Sequence, residues 1–156
     1  MKVVYPVSEI EEKGIKIFLA GTIEMGNSAD WQQKVIDDFQ SFYSEKEIVV
    51  LNPRRTNWDS SWTQSIENKQ FNDQVNWELD ALEKSDFIIM FFDKNSKSPI
   101  SMLELGLFAD SKKMLVCCEE GFWRKGNIDI VCKRKGIPTF ENLEELIAAL
   151  KNLINL

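Results

Sequence analysis

Six consecutive apolar residues, Phe87 to Phe92, stopped at once by Asp93, constrain the fold of this chain more than any other stretch. A strand with one wet face alternates polar and apolar residues. A strand with no polar residue needs cover on both faces, as inside a parallel sheet flanked by helices. Ile15 to Ala20, interrupted only by Lys16, and the runs Ile48 to Leu51 and Met114 to Cys118 repeat the pattern, and Ile137 to Phe140 is a shorter fifth. Between these runs the period changes to that of helices. Trp31, Val35, Phe39 and Phe42 recur at helical spacing to about Tyr43, and Phe71, Val75, Leu79 and Leu82 mark a helix from about Ile66 to Lys84. Pro99 suits the first turn of a helix reaching about Asp110, and Asn127 is placed to cap a short helix stopped by Gly136. Asn142 and Glu145 have capping-box spacing ahead of Leu143, Leu146, Ile147, Leu150 and Leu153. Strands alternating with helices imply right-handed crossovers, hence an α/β three-layer sandwich around a five-stranded parallel sheet. Met1 to Gly14 reads as an irregular or extended lead-in.

The 156 residues contain no Pro/Gly/Ser-rich linker, repeat or low-complexity segment, so the expectation is one domain over 1–156. The net charge of -6 argues against a nucleic-acid polymer as partner, although a mononucleotide needs only a few local basic residues. No stretch approaches a membrane span, and Met1 to Gly14 lacks the apolar centre of a secretory signal; a cytoplasmic protein with no membrane partner is expected. Cys117, Cys118 and Cys132 are an odd number and include an adjacent pair on a strand, which reads as reduced thiols. There is no histidine, which removes histidine-based triads and makes a metal site poor. Any general acid or base must therefore be a carboxylate, lysine, tyrosine or cysteine.

In open parallel sheets, ligands bind beyond the carboxyl ends of the strands where strand order reverses. That rule gathers Gly21 and Thr22, Asn52 to Arg55 with Trp58, Asp93 to Glu104, and Glu119 to Trp123 towards one crevice. The loop after the first strand is neither a dinucleotide fingerprint nor a P-loop, and is either a plain turn or a ligand cradle. Arg54, Arg55, Trp58 and Trp62 suit a flat polar or anionic ligand, or equally a surface excursion. Glu104 lies among Ile100, Met102, Leu103, Leu105 and Leu107, followed by Gly106 where a backbone can approach closely. It either reaches solvent or belongs to a site. Glu78, flanking the buried stripe of its helix with Gln74 and Trp77, is the second carboxylate of interest.

Five short segments, Ile17-Phe18-Leu19-Ala20-Gly21, Leu51-Asn52-Pro53-Arg54-Arg55 with Trp58, Gln74-Val75-Asn76-Trp77-Glu78, Ser85-Asp86, and Ser98-Pro99-Ile100-Ser101-Met102-Leu103-Glu104-Leu105-Gly106, together resemble the nucleoside 2-deoxyribosyltransferase family, most closely its 2-deoxyribosyltransferase-like branch. The resemblance runs from about Ile15 to the end. It implies a flavodoxin-like (Rossmann-like) fold and a cofactor-independent enzyme that cleaves the N-glycosidic bond of a 2′-deoxynucleoside and passes the deoxyribosyl group to another base or to water. The family's nucleophilic glutamate falls on Glu104, where Met102 and the leucines would leave it poorly hydrated, and its acidic residue ahead of the third strand falls on Glu78. Family members carry an aspartate six residues before the nucleophile, where this chain has Ser98; Asp93 is the loop carboxylate placed to substitute. Gly21, Thr22, Ser98 and Met102 would line the substrate site, and Arg54 and Arg55 would meet a 5′-phosphate. The implied partners are a nucleoside or nucleotide, a free nucleobase, and further copies of the chain, since family members complete sites across subunits. Two alternatives accompany this reading: an N-glycosidase of nucleoside 5′-monophosphates, and an inactive nucleotide-binding sensor.

Overall fold

A computed structural model of the chain describes residues 1–23, 30–42, 46–55 and 61–155. Its elements run β1 (Lys2–Val4), β2 (Ile15–Gly21), α1 (Trp31–Gln40), β3 (Ile48–Leu51), α2 (Lys69–Lys84), β4 (Phe87–Phe92), α3 (Pro99–Phe108), β5 (Met114–Cys118), α4 (Lys125–Lys135), β6 (Thr139–Phe140) and α5 (Leu143–Asn155). The sheet is wholly parallel in the order β1-β3-β2-β4-β5-β6, six strands where the sequence predicts five. The extra strand comes from the lead-in: Lys2, Val3 and Val4 pair with Val49, Val50 and Leu51. Three residues are too few to show a period, and this strand exists through its long-range partner. Without β1 the order is that of flavodoxin-like sheets.

Alternation along the central strands divides the core. Phe18, Ala20, Ile88, Met90 and Phe92 face Trp77, Ala81 and Leu82 of α2, Leu105 of α3 with Ala109 just after it, and Ile128 and Cys132 of α4. Ile17, Leu19, Ile89 and Phe91 face Trp31, Val35 and Phe39 of α1 and Leu146, Ile147 and Leu150 of α5. Cys117 and Cys118 point into opposite layers, and both thiols and Cys132 are buried and free. Burial pushes the first two up to about 12 and Cys132 to about 11, far from the thiolate form. Among the described residues no helix is long and apolar enough to cross a membrane.

Several boundaries differ from expectation. Helix α2 begins at Lys69, capped by the Asn68 side chain on the Phe71 N–H, rather than at Ile66, and α4 begins at Lys125 rather than after Asn127. Strand β6 is reduced to two residues because Ile137 and Pro138 precede the pairing. Helix α1 ends at Gln40, and Tyr43 lies outside the described residues. Gly106 is not a point of close approach: among the described residues an added Cβ would meet nothing within 4 Å.

The segment after β1 is held by the Trp77 indole, which donates to the Ser8 carbonyl at 2.8 Å. Here Tyr5-Pro6-Val7-Ser8 forms a turn, closed by the Ser8 N–H on the Tyr5 carbonyl at 3.1 Å, with Val7 at a φ of 65°. Proline then a left-handed residue is the pattern of a type II turn, which glycine or asparagine fills without strain and a β-branched residue does not. Val7 is exposed, so its side chain contributes little packing in return. Val7→Asn is expected to raise stability by about 1 kcal/mol in a denaturant melt.

Candidate active site

Strand order reverses between β2 and β4, and the connections that follow them diverge there, α1 packing on one side of the sheet and α3 on the other. Beside that point lies a cavity of about 350 Å³. Its walls come from β2 and Ile23 just beyond it, from Pro53, Arg55 and Gln64 between β3 and α2, from Gln74 and Glu78 of α2, and from Ser98 to Ser101 with Glu104 at the start of α3.

Two carboxylates face this space. Glu104 is only 8% exposed although it sits on a helix whose outer side bears Ile100, Leu103 and Leu107. Burial, and then the neighbouring negative charge of Glu78, push its pKa up to about 8. Among the described residues no donor offers it a hydrogen bond that would favour the anion. Glu78 is half-buried and raised to about 7, again by burial, but the Gln74 amide counteracts part of the rise by donating to Oε1 at 2.5 Å. Both carboxyls are thus raised towards neutrality, where one can be protonated while the other is ionised. A pair so poised can present an anion to one side of a bound molecule and a proton to another.

The chain that positions Glu78 is longer than one contact. Gln74 is 3% exposed, accepts from Arg55 Nη1 at 3.3 Å through its Oε1, and also donates to the Pro53 carbonyl at 3.3 Å. Arg55 in turn lies over the Trp62 ring, 5.3 Å from its centroid.

Opposite this wall, three buried hydroxyls form a triangle. Thr22 Oγ1 lies 2.9 Å from Ser96 Oγ and 2.7 Å from Ser98 Oγ, and the two serine oxygens are 2.7 Å apart. The Asp93 N–H donates to Thr22 at 3.1 Å, and Ser96 reaches the Asp93 carbonyl at 2.9 Å. Ser98 does not cap α3; it adopts a left-handed conformation (φ 44°, ψ 51°) that turns its hydroxyl into the triangle. The loop between β4 and α3 is thereby tied to the end of β2, which fixes where α3 begins and hence where Glu104 lies.

Of the residues singled out in the sequence, Glu104, Glu78, Gly21, Arg55 and Ser98 share the cavity wall. Thr22 supports Ser98 from behind. Asp93 does not reach the cavity: its Oδ1 turns back onto the Asn95 N–H at 2.8 Å. Arg54 points the other way, pairing through Nε with Asp30 at 3.3 Å at the N-terminus of α1. Met102 is partly buried against the core on that side of the sheet and does not line the cavity. Trp58 lies outside the described residues. Sequence reasoning passed over Gln74 and Ser101 as site residues. The available signal for Gln74 was a polar side chain on the buried stripe four residues before Glu78; Ser101, in the first turn of α3, gave none.

At the switch point of a doubly wound sheet the cavity thus brings together two desolvated carboxylates, a pair chemically able to serve acid–base or nucleophilic catalysis, and among the described residues no group of side chains could hold a metal ion. The chain belongs to the nucleoside 2-deoxyribosyltransferase-like family, whose sequence pattern matches residues 14–122. The family implies small nucleosides as substrates. No curated protein matches the chain.

Proposed function

We propose that the protein cleaves the N-glycosidic bond of 2′-deoxynucleosides or their 5′-monophosphates by double displacement and passes the deoxyribosyl group to a second base or to water. The observation that carries this reading is the Glu78 and Glu104 pair in one cavity, with unlike hydrogen bonding. In the first step a Glu104 oxygen bonds to the anomeric carbon as the bond to the base nitrogen breaks; that electron pair goes to the base, which takes the proton from Glu78. In the second step the incoming base or water bonds to the same carbon, returns a proton to Glu78 and releases Glu104. Configuration is retained. The step needs no metal and no redox partner.

Arg55 on the cavity wall favours one narrower version, in which a 5′-phosphate is bound and water is the acceptor. The test is chromatography of a panel of deoxynucleosides and their 5′-monophosphates, each incubated with and without a second free base. Base exchange supports transfer, and free base alone supports the hydrolase. Binding without turnover across the panel overturns both and leaves a nucleotide sensor, the reading to which Ser98, in place of a carboxylate, lends weight.

Because catalysis needs one carboxyl protonated and the other ionised, kcat/KM is expected to follow a bell in pH, highest between about 7 and about 8 and falling about tenfold per unit on either side. Initial rates from pH 5 to 10 check it.

A further inference from the structure

The Gln74 amide can adopt only one orientation. With its nitrogen between the Glu78 carboxylate and the Pro53 carbonyl and its oxygen under the Arg55 guanidinium, all three contacts join a donor to an acceptor. Turned over, it would set oxygen against oxygen twice and N–H against N–H once. The side chain is buried in the wall between the loop after β3 and helix α2. Its N–H therefore reaches Glu78 as a fixed feature of the fold, while Glu104 across the cavity receives no donor among the described residues.

That asymmetry bears on the reaction. A carboxylate that accepts a hydrogen bond is favoured as the anion, and a desolvated one that accepts none is favoured as the acid. The charged and titratable groups lining the cavity with Glu78 are Arg55 and Glu104. Arg55 meets Gln74 through its oxygen, and Glu104 repels a second negative charge. The repulsion is mutual and does not choose between the two carboxyls; the Gln74 N–H, given to Glu78 alone, does, and it places the resting charge on Glu78 and the resting proton on Glu104, the reverse of what attack on the anomeric carbon requires.

We infer that Gln74 is a positioning residue that keeps the empty site unarmed, holding Glu78 as the anion and leaving Glu104 protonated until a ligand hydroxyl donates to Glu104 and its proton passes to Glu78. The transfer balances: one proton moves from one carboxyl to the other, the negative charge moves the opposite way, and no further reactant enters. An unarmed nucleophile has a use in a chain that must hold a desolvated carboxylate between turnovers, since a neutral Glu104 avoids a second buried charge. The inference rests on the proposed double displacement for its purpose but not for its test.

The test is a ¹³C titration of glutamate side-chain carboxyls in the free protein, with Gln74→Met and Gln74→Asn as variants. Methionine keeps the bulk without the N–H, and asparagine keeps the amide but is one methylene too short; if one variant fails to fold, the other carries the comparison. In the wild type Glu78 is expected to ionise at lower pH than Glu104. In the variants Glu78 should rise by about one to two pH units, to meet or pass Glu104, and the acid limb of kcat/KM should move up with it. A wild type in which Glu104 ionises first, or a folded variant in which Glu78 does not move, overturns the inference. A merely structural role for Gln74 would lower stability or activity without moving either titration. The expected order of titration in a protein that releases no base would overturn the N-glycosidic reading and leave the role of Gln74 standing.

Discussion

Glu104→Gln is expected to abolish base release while making the protein more stable above neutral pH. The two effects share one cause. As nucleophile, Glu104 makes the bond that divides a difficult substitution into two easier ones, and glutamine has no oxygen able to form that ester intermediate, so kcat should fall at least about 10³-fold. The same carboxyl is held in a site that disfavours its anion, with burial and the Glu78 charge both raising its pKa to about 8 from an ordinary 4.5. The folded protein therefore keeps a proton that the unfolded chain releases once pH passes about 4.5. Stability tied to this group is at its fullest below that pH, declines as pH rises, and is gone by about 8. Glutamine is neutral throughout and of nearly the same shape. At pH 8 the variant should be more stable by on the order of 1–3 kcal/mol, and at pH 4 the difference should vanish. Urea melts at the two pH values, read beside a base-release assay, check both halves. A variant as active as the wild type removes Glu104 from the chemistry. A variant equally destabilised at both pH values means the carboxyl contributes packing rather than strain.

How much of this could be read from the residues depends on the range of the physics involved. The four long strands were legible because a buried parallel strand must be apolar throughout, and Phe87 to Phe92 and Met114 to Cys118 have no other soluble use. Lys2–Val4 was not, because three residues gain their strand character only from β3 beside them. Glu104 stood out for a local reason, a charge among leucines, and of the two expectations for it the structure sets aside only the one in which it reaches solvent. Arg54 and Arg55 were inseparable in sequence. One turns to Asp30 and the other to the cavity, a choice made by the direction the chain takes after Pro53. Asp93 was attractive as a spare carboxylate, but a short aspartate two residues before an N–H it can reach closes a local turn instead. The hydroxyl triangle was beyond reach, because Thr22 and Ser98 are 76 positions apart and meet only once β2 and β4 pair.

That pairing is also where one added methyl should do most harm to the fold. Gly21 ends β2 opposite Phe91 of β4, at a φ of 132°, and a Cβ there would lie 2.2 Å from the Phe91 carbonyl oxygen and 2.7 Å from its nitrogen. Neither is the movable end of a side chain; both belong to the central strand. Gly21→Ala must therefore part β2 from β4 at the end where the cavity opens, besides forcing an L-residue into a backbone region that glycine alone occupies freely. The next residue, Thr22, donates its N–H to the same Phe91 oxygen at 2.9 Å and carries a hydroxyl of the triangle, so the displacement would pass through Ser98 to the start of α3. The expected cost is about 3 kcal/mol or more, with loss of activity in whatever fraction still folds. Gly106→Ala is the control. It sits on α3 with open space around it and no positive φ, so it should gain about 0.5–1 kcal/mol from helix propensity. Comparable melts for the two variants would mean that the close approach at Gly21 does not hold the site together, and that the harm from its methyl is absorbed elsewhere in the sheet.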